Sequence, residues 1–121
     1  MWHITLESAL LKARPQRKAI LVFLAAPDRS TEKNLEKTVF FSSDFKRFAK
    51  DMELVYVNLS EKIKLPRAQQ EYNAKLHEKL GRHLRPPSAV FLGPDGKPRG
   101  SISDIRSKNE FLGALKRFLR Q

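Results

Sequence analysis

The sequence predicts an α/β domain with a mixed central sheet of about four strands, flanked by about four helices. Two short apolar runs, Ile20–Leu24 and Leu54–Val57, have the composition of buried strands and alternate with helical patterns. That order makes neighbouring strands parallel. A hairpin follows, because Ser88–Leu92 and a segment near 99–103 flank Gly93-Pro94-Asp95-Gly96, whose Pro and Gly suit a turn. The hairpin adds an antiparallel edge to the parallel part.

Apolar residues at helical spacing predict the helices. The first has Thr5 as its cap and Pro15 as its end, and the second begins at Ser30 or Thr31 and restarts at Ser42-Ser43-Asp44. The third precedes the hairpin, and the fourth follows it. Their apolar faces are formed, in chain order, by Leu6, Ala9, Leu10 and Ala13; Leu35 and Val39; Phe45, Phe48, Ala49 and Met52; Ala68, Tyr72, Leu76, Leu80 and Leu84; and Phe111, Leu112, Leu115, Phe118 and Leu119.

The composition is that of one globular domain over residues 1–121. The chain is 40% hydrophobic and 31% charged, values typical of a folded domain. The longest apolar run, Ala19–Ala26, is less than half as long as a membrane-spanning helix. Residues 1–14 lack the basic start and apolar centre of an export signal. The compartment stays open, since a signal could have been removed from a mature or excised chain.

Basic residues are in excess, mostly in the second half of the chain. The sequence has 24 Lys and Arg against 13 Asp and Glu, a formal net charge of +11. Residues 1–60 contribute 10 basic and 7 acidic residues, and residues 61–121 contribute 14 and 6. Such a surface favours anionic partners such as nucleic acid. The aromatic residues fall mostly at core spacing, so nucleic-acid binding rests on charge alone.

Residue types exclude several kinds of catalytic site. No cysteine is present, which rules out disulfides and thiolate ligands from this chain. His3, His77 and His83 lack metal-ligand spacing and are predicted to be isolated surface residues. The sequence contains no phosphate-binding glycine loop and no nucleophile elbow. We therefore predict no metal, no cofactor and no enzymatic activity.

Four segments, taken in order, carry a family resemblance. Lys18–Asp28 is similar to a first central strand with its exit to an active-site loop, and Leu35–Phe45 is similar to a kinked second helix. Pro87–Leu92 is similar to a strand entered from a cis-proline, and Asp95-Gly96 to the hairpin turn after it. Their order and spacing cover nearly the whole chain and resemble the thioredoxin-like fold. The resemblance implies a three-layer sandwich and a cis peptide bond between Pro86 and Pro87.

The reactive groups of the thioredoxin-like family are missing at the matching positions. The Cys-x-x-Cys motif of the family falls on Arg29-Ser30-Thr31-Glu32, and the buried acid beneath the cysteines falls on Phe23. Thiol–disulfide exchange needs a thiolate of lowered pKa and a second thiol, and no other side chain replaces that pair. The resemblance therefore implies a redox-inactive member.

The same resemblance implies a candidate site, in which Arg29–Glu32 at a helix start faces a loop formed by Arg85, Pro86, Pro87 and Ser88. The free N–H groups of a helix start favour anions. We therefore expect a small basic cleft that captures an acidic peptide or another anion. The alternative is a vestigial site, in which Arg29 and Glu32 are solvated and the two residues between them only cap the helix.

The sequence thus favours an interaction module that binds a protein or acidic peptide partner. Two alternatives stay open. One is a basic domain that binds nucleic acid or another polyanionic surface, and the other is an accessory domain of a larger redox or chaperone system. The identity of the partner and the oligomeric state are not determined by the sequence.

Overall fold

The computed structural model describes residues 2–27, 30–60 and 64–119, and every side chain among them except those of Ser30 and Thr31. Five strands and five helices follow one another along these residues. In chain order they are β1 (Trp2–His3), α1 (Leu6–Gln16), β2 (Ala19–Ala25), α2 (Ser30–Phe40), α3 (Ser43–Ala49), β3 (Met52–Asn58), α4 (Arg67–Gly81), β4 (Ser88–Leu92), β5 (Pro98–Ile102) and α5 (Lys108–Leu119). Among these helices, none is both long and apolar enough to cross a membrane.

The strands form one mixed sheet in the order β1-β3-β2-β4-β5. Strands β1 and β2 both run parallel to β3, whereas β4 runs antiparallel to β2 and β5 antiparallel to β4. The predicted α/β fold, with a parallel part and a hairpin edge, is confirmed. The sequence pattern missed β1 because a strand of two residues is too short to show an alternation of apolar and polar side chains.

Strand β2 lies at the centre of the sheet and is buried along almost all of its length. Leu21 and Phe23 belong to a core cluster with apolar residues of α2, α3 and α5, and Ile20 and Val22 belong to a second cluster with residues of α1 and α4. Successive side chains of a strand point to opposite faces of the sheet. Helices therefore cover both faces, which makes the three-layer sandwich.

Helix α1 begins as predicted and ends later than predicted. The Oγ1 atom of Thr5 accepts a hydrogen bond from the N–H of Ser8 at 3.2 Å, so Thr5 is the N-cap. Pro15 lies inside the last turn, and the helix continues to Gln16. Arg17, with φ 54°, ends the helix in the left-handed region and donates its N–H to carbonyls of the last turn. A proline in a last turn removes one donor, and the residue that closes the helix follows it.

Ser42 separates α2 from α3, at the position that the sequence predicts for the restart. Its hydroxyl donates to the carbonyl of Val39 at 2.6 Å and accepts from the N–H of Phe45 at 3.2 Å. One side chain thus caps the end of one helix and the start of the next. Phe41, which precedes it, belongs to neither helix and is 73% exposed.

Candidate functional site

A cleft of about 220 Å³ lies between the first turns of α2 and the loop that enters β4. These segments meet because β2 and β4 are antiparallel neighbours, with Leu24 opposite Ser88. Helix α2 follows the end of β2, and the loop precedes the start of β4, so both lie at the same edge of the sheet. The cleft is lined by Glu32, Leu35, Pro86, Pro87, Asp104, Ile105 and Arg106.

The loop is held by main-chain hydrogen bonds to the segment that follows β5. The carbonyl of Arg85 accepts from the N–H of Asp104 at 3.0 Å, and the carbonyl of Pro87 accepts from the N–H of Ile105 at 2.7 Å. The peptide bond between Pro86 and Pro87 is cis. The cleft is therefore a junction between two loops that are bonded to each other on both sides of Pro86.

Pro86 lines the cleft and keeps a main-chain acceptor that the fold does not use. Neither Pro86 nor Pro87 has an N–H, so this part of the loop cannot donate a main-chain hydrogen bond. The carbonyls of Arg85 and Pro87 are occupied, but among the described residues no hydrogen bond reaches the carbonyl of Pro86. An extended chain that pairs with this loop would therefore have to donate its N–H to Pro86.

Glu32 is buried, with 2% of its surface exposed. Its Oε1 atom accepts a hydrogen bond from the N–H of Ala26 at 2.5 Å, which links the first turn of α2 to the end of β2. A carboxylate in a first turn also interacts favourably with the helix dipole. The expectation that Glu32 is a solvated replacement is wrong. Arg29 lies outside the described residues, and so do the side chains of Ser30 and Thr31.

Phe23 and Ser88, two of the predicted site residues, lie in the sheet and not on the surface of the cleft. Phe23 is 1% exposed, and its ring centroid lies 5.0 Å from that of Phe40 and 6.0 Å from that of Phe111. Ser88 is fully buried, and among the described residues its hydroxyl has no hydrogen-bond partner. Both residues support the cleft through the packing of the sheet.

The described lining of the cleft is not basic. It has two carboxylates, Glu32 and Asp104, and one guanidinium, Arg106. Arg106 donates to Asp104 at 3.0 Å, and this hydrogen bond raises the pKa of Arg106 above its usual value. Arg85 is exposed and does not line the cleft. The prediction of a small basic cleft is therefore wrong for the described residues, because the fold brings an acidic residue from beyond the hairpin.

The sequence analysis missed the lining residues that follow β5. Asp104 has φ 54°, in the left-handed region, which Asp adopts more readily than most residues. Ser103-Asp104 after a strand is a turn signal that the sequence does show. Such a signal predicts a turn, but it does not predict that Ile105 and Arg106 meet the loop before β4. Leu35 was expected in α2, and its place in the cleft lining was not.

The expectation that all three histidines are isolated on the surface is wrong. The side chain of His3 is 9% exposed, with Nδ1 2.8 Å from Ser8 Oγ and Nε2 2.8 Å from Glu53 Oε1. The Nε2 atom of His77 lies 2.9 Å from the carbonyl oxygen of Leu84. These hydrogen bonds join separate elements of the fold. Within the described ranges, no group of three or more His, Asp or Glu could hold a metal ion.

Solved structures with a similar fold include redox proteins. The chain is similar to a DsbH oxidoreductase, with a TM-score of 0.77 and 23% identity over 96% of this chain and 84% of that one. It is also similar to a thioredoxin from Thermus thermophilus (TM-score 0.75, 17% identity, 98% and 87% covered) and to a disulphide isomerase from Xylella fastidiosa Temecula1 (0.64, 20%, 91% and 76%). Neither a protein-family model nor a curated protein sequence matches. The chain therefore has the thioredoxin-like fold, as predicted, and has it without cysteine.

Proposed function

We propose that this thioredoxin-like domain is a redox-inactive binding module, which holds an extended peptide segment of a partner protein in the cleft beside Pro86. The observation that carries the proposal is the unused carbonyl of Pro86, in a loop whose neighbouring carbonyls, those of Arg85 and Pro87, are bonded within the fold. An acceptor that is already held in place reduces the entropy lost when an extended chain binds to it.

Binding without a covalent step is what the residues of the chain support. Thiol–disulfide exchange begins with the attack of a thiolate on sulfur, and this chain has no cysteine to supply one. The carboxylate of Glu32, near the position where the family has its second cysteine, accepts a structural hydrogen bond from Ala26. Glu32 therefore stabilises the start of α2 in this proposal and takes no part in exchange.

The lining of the cleft favours an uncharged ligand segment. Asp104 and Arg106 form an ion pair, and Glu32 is buried. Leu35 and Ile105 supply an apolar surface in a volume of about 220 Å³. We therefore propose a ligand that donates one main-chain N–H to Pro86 and inserts an apolar side chain, in place of the acidic peptide expected from the sequence.

We also propose that Arg29–Glu32 occupies the Cys-x-x-Cys positions and that Phe23 occupies the position of the buried acid. The start of α2 at Ser30 supports this register. The double substitution Arg29→Cys with Glu32→Cys should then form a disulfide on mild oxidation, which a free-thiol assay measures. The pair Ser30→Cys with Lys33→Cys, one residue later, is the control. Closure of the control pair alone would show that the register is wrong.

Modified ligands test the role of Pro86 without changing the protein. Peptides selected from a random display library are synthesised with a single N-methyl group at each position in turn, which removes one N–H donor. We expect one position at which N-methylation weakens binding about tenfold, as measured by calorimetry. Ligands that tolerate N-methylation at every position would refute the proposed hydrogen bond to Pro86.

A substitution in the cleft tests the same proposal from the protein side. Leu35→Glu should weaken the selected peptides about tenfold, because it adds a carboxylate beside Glu32 in a site for an apolar side chain. Leu11→Glu is the matched control, since Leu11 is 77% exposed and lies outside the cleft. Amide shifts should appear at Leu35 and Ile105. Shifts scattered over the lysines of α4 and α5, with duplex-DNA affinity that falls steeply with salt, would favour nucleic-acid binding instead.

A further inference from the structure

A second concave surface, here called the aromatic groove, lies on a different side of α2. Its volume is about 630 Å³, and its described lining includes Trp2, Ile4, Phe40, Phe41 and Tyr56. The groove and the cleft beside Pro86 have no lining residue in common. Its volume lies in the range of ligand-binding sites, about 300–1,000 Å³.

The inner wall of the aromatic groove is part of the core. The ring centroid of Trp2 lies 4.9 Å from that of Phe40 and 5.8 Å from that of Tyr56, and Phe40 contacts Phe23 at 5.0 Å. The hydroxyl of Tyr56 donates to Glu36 Oε1 at 2.6 Å. The rings are therefore held by packing and by a hydrogen bond, so an occupant would not have to order them.

The outer edge of the aromatic groove is apolar and exposed. Phe41 is 73% exposed and Ile4 63%, and Leu11, outside the groove, is the third large exposed apolar residue in the described parts of the chain. The N–H of Phe41 donates to the carbonyl of Lys37 at 3.4 Å, and the carbonyl of Ile4 accepts from Gln69 at 3.1 Å. Exposed apolar side chains that border one concavity are typical of an interaction site.

Two lysines give the rim of the aromatic groove a positive charge. Lys33 and Lys37 both line the groove, are exposed, and lie one helical turn apart on α2. Neither forms an ion pair with another described residue. Two carboxylates one turn apart on a facing helix would match their spacing. The net charge of +11 adds a long-range attraction for an acidic partner.

We propose that the aromatic groove binds an acidic amphipathic helix of a partner protein. Apolar side chains of that helix would pack against Trp2 and Phe41, and its carboxylates would face Lys33 and Lys37. A second copy of this chain fits less well, because a symmetric contact would bring the lysine pairs of two strongly basic chains together. The inference concerns a surface apart from the cleft and does not depend on peptide binding there.

The position of Trp2 makes the proposal directly measurable, because the chain has a single tryptophan and it lines the aromatic groove. The probe is a synthetic helix of about three turns, without tryptophan, that has Leu on one face and Glu along its borders. Two matched peptides replace Glu by Lys or Leu by Ser. We expect saturable changes of Trp2 fluorescence with the Glu peptide, and affinities at least about tenfold weaker for the other two.

Matched variants separate the aromatic groove from the rest of the surface. Phe41→Ser should weaken the Glu peptide about tenfold, whereas Leu11→Ser should change its affinity less than about twofold. The pair Lys33→Glu with Lys37→Glu should also weaken it about tenfold and should improve binding of the Lys peptide. The exposed pair Lys75→Glu with Lys79→Glu on α4 changes the net charge equally and should leave both peptides little affected.

Four results would overturn the proposal. The Glu peptide could leave Trp2 fluorescence unchanged, or the α4 charge reversal could weaken it as much as the reversal at Lys33 and Lys37 does. Phosphatidylglycerol vesicles could bind with the same dependence on Phe41 while the peptide does not, which would indicate a lipid surface. Self-association that Phe41→Ser abolishes, measured by sedimentation, would indicate a second copy. Leu35→Glu should not alter the helix peptide, so failure here and failure of the cleft proposal are distinguishable.

Discussion

The cleft beside Pro86 and the aromatic groove both use α2, but they are built from different parts of the chain. The cleft depends on main-chain hydrogen bonds between the loop before β4 and the segment after β5, and its acidic residue Glu32 is buried. The groove depends on aromatic side chains that extend from the core to the exposed Phe41. A surface built from main-chain contacts should tolerate substitution of its charged side chains, whereas a surface built from rings should be sensitive to the loss of one ring.

The largest expected effect separates two neighbouring residues of the aromatic groove. Phe40→Ala should lower the free energy of unfolding by about 3 kcal/mol, because the Phe40 ring contacts Trp2, Phe23 and Phe45 at 4.9–5.0 Å. Phe41→Ala should change it by less than about 0.5 kcal/mol, since that side chain is mostly exposed. Urea denaturation measures both. Equal losses would mean that the exposed edge of the groove is part of the core.

Glu32 should give the next largest effect, on the side of the cleft. Glu32→Ala removes the acceptor for the N–H of Ala26 and should cost about 2 kcal/mol of unfolding free energy. Glu32→Gln retains an acceptor and should cost less. Glu71→Ala is the control and should cost no more than about 0.5 kcal/mol, because Glu71 forms an exposed ion pair with Arg67. A loss at Glu32 no larger than at Glu71 would contradict the role given to the Ala26 hydrogen bond.

The tyrosines provide a smaller effect that depends on pH. Burial, and then the hydrogen bond to Glu36, raises the pKa of Tyr56 well above its usual value of 10. Burial, and then the hydrogen bond to Glu7, raises the pKa of Tyr72 to about 12. These are the only two tyrosines in the chain. Phenolate absorbance should therefore stay low at pH 10 and appear only near pH 12 and above.

The same shifts predict the sign of a stability change. Above pH 10 the unfolded chain releases tyrosine protons that the folded chain retains, so the stabilisation is complete below pH 10 and is lost as the pH rises through the raised pKa values. Tyr56→Phe should reduce this dependence, as measured by urea denaturation at pH 8 and at higher pH. A phenolate signal that develops fully at pH 10 in the folded protein would show that the polar end of the aromatic groove is open to solvent.

The smallest expected effect concerns Arg85. Arg85→Glu should change the affinity of cleft ligands by less than about twofold, because the contacts proposed there are made by the main chain of Pro86 and by Leu35 and Ile105. Calorimetry with the selected peptides measures this. A loss of about tenfold or more would restore the basic cleft that the sequence predicts and that the described lining residues contradict.

Features that depend on local pattern could be predicted from the sequence. The apolar run of β2 predicts a strand buried on both faces, because the fully apolar side chains of Ile20–Leu24 leave no polar face. The break at Ser42 follows from a hydroxyl residue placed to cap a helix. The absence of sulfur is a property of the sequence itself. These features need only neighbours within one or two helical turns.

Features that depend on distant segments were decided by the tertiary structure. Asp104 and Arg106 reach the cleft only because the segment after β5 bonds to Arg85 and Pro87. Trp2 and Ile4 reach the aromatic groove because β1 pairs with β3, which places them beside α2 and Tyr56. Charge counts along the chain cannot show which side chains share a surface. That depends on strand pairing, because the contacts between remote segments are set by the sheet order and not by their own sequence patterns.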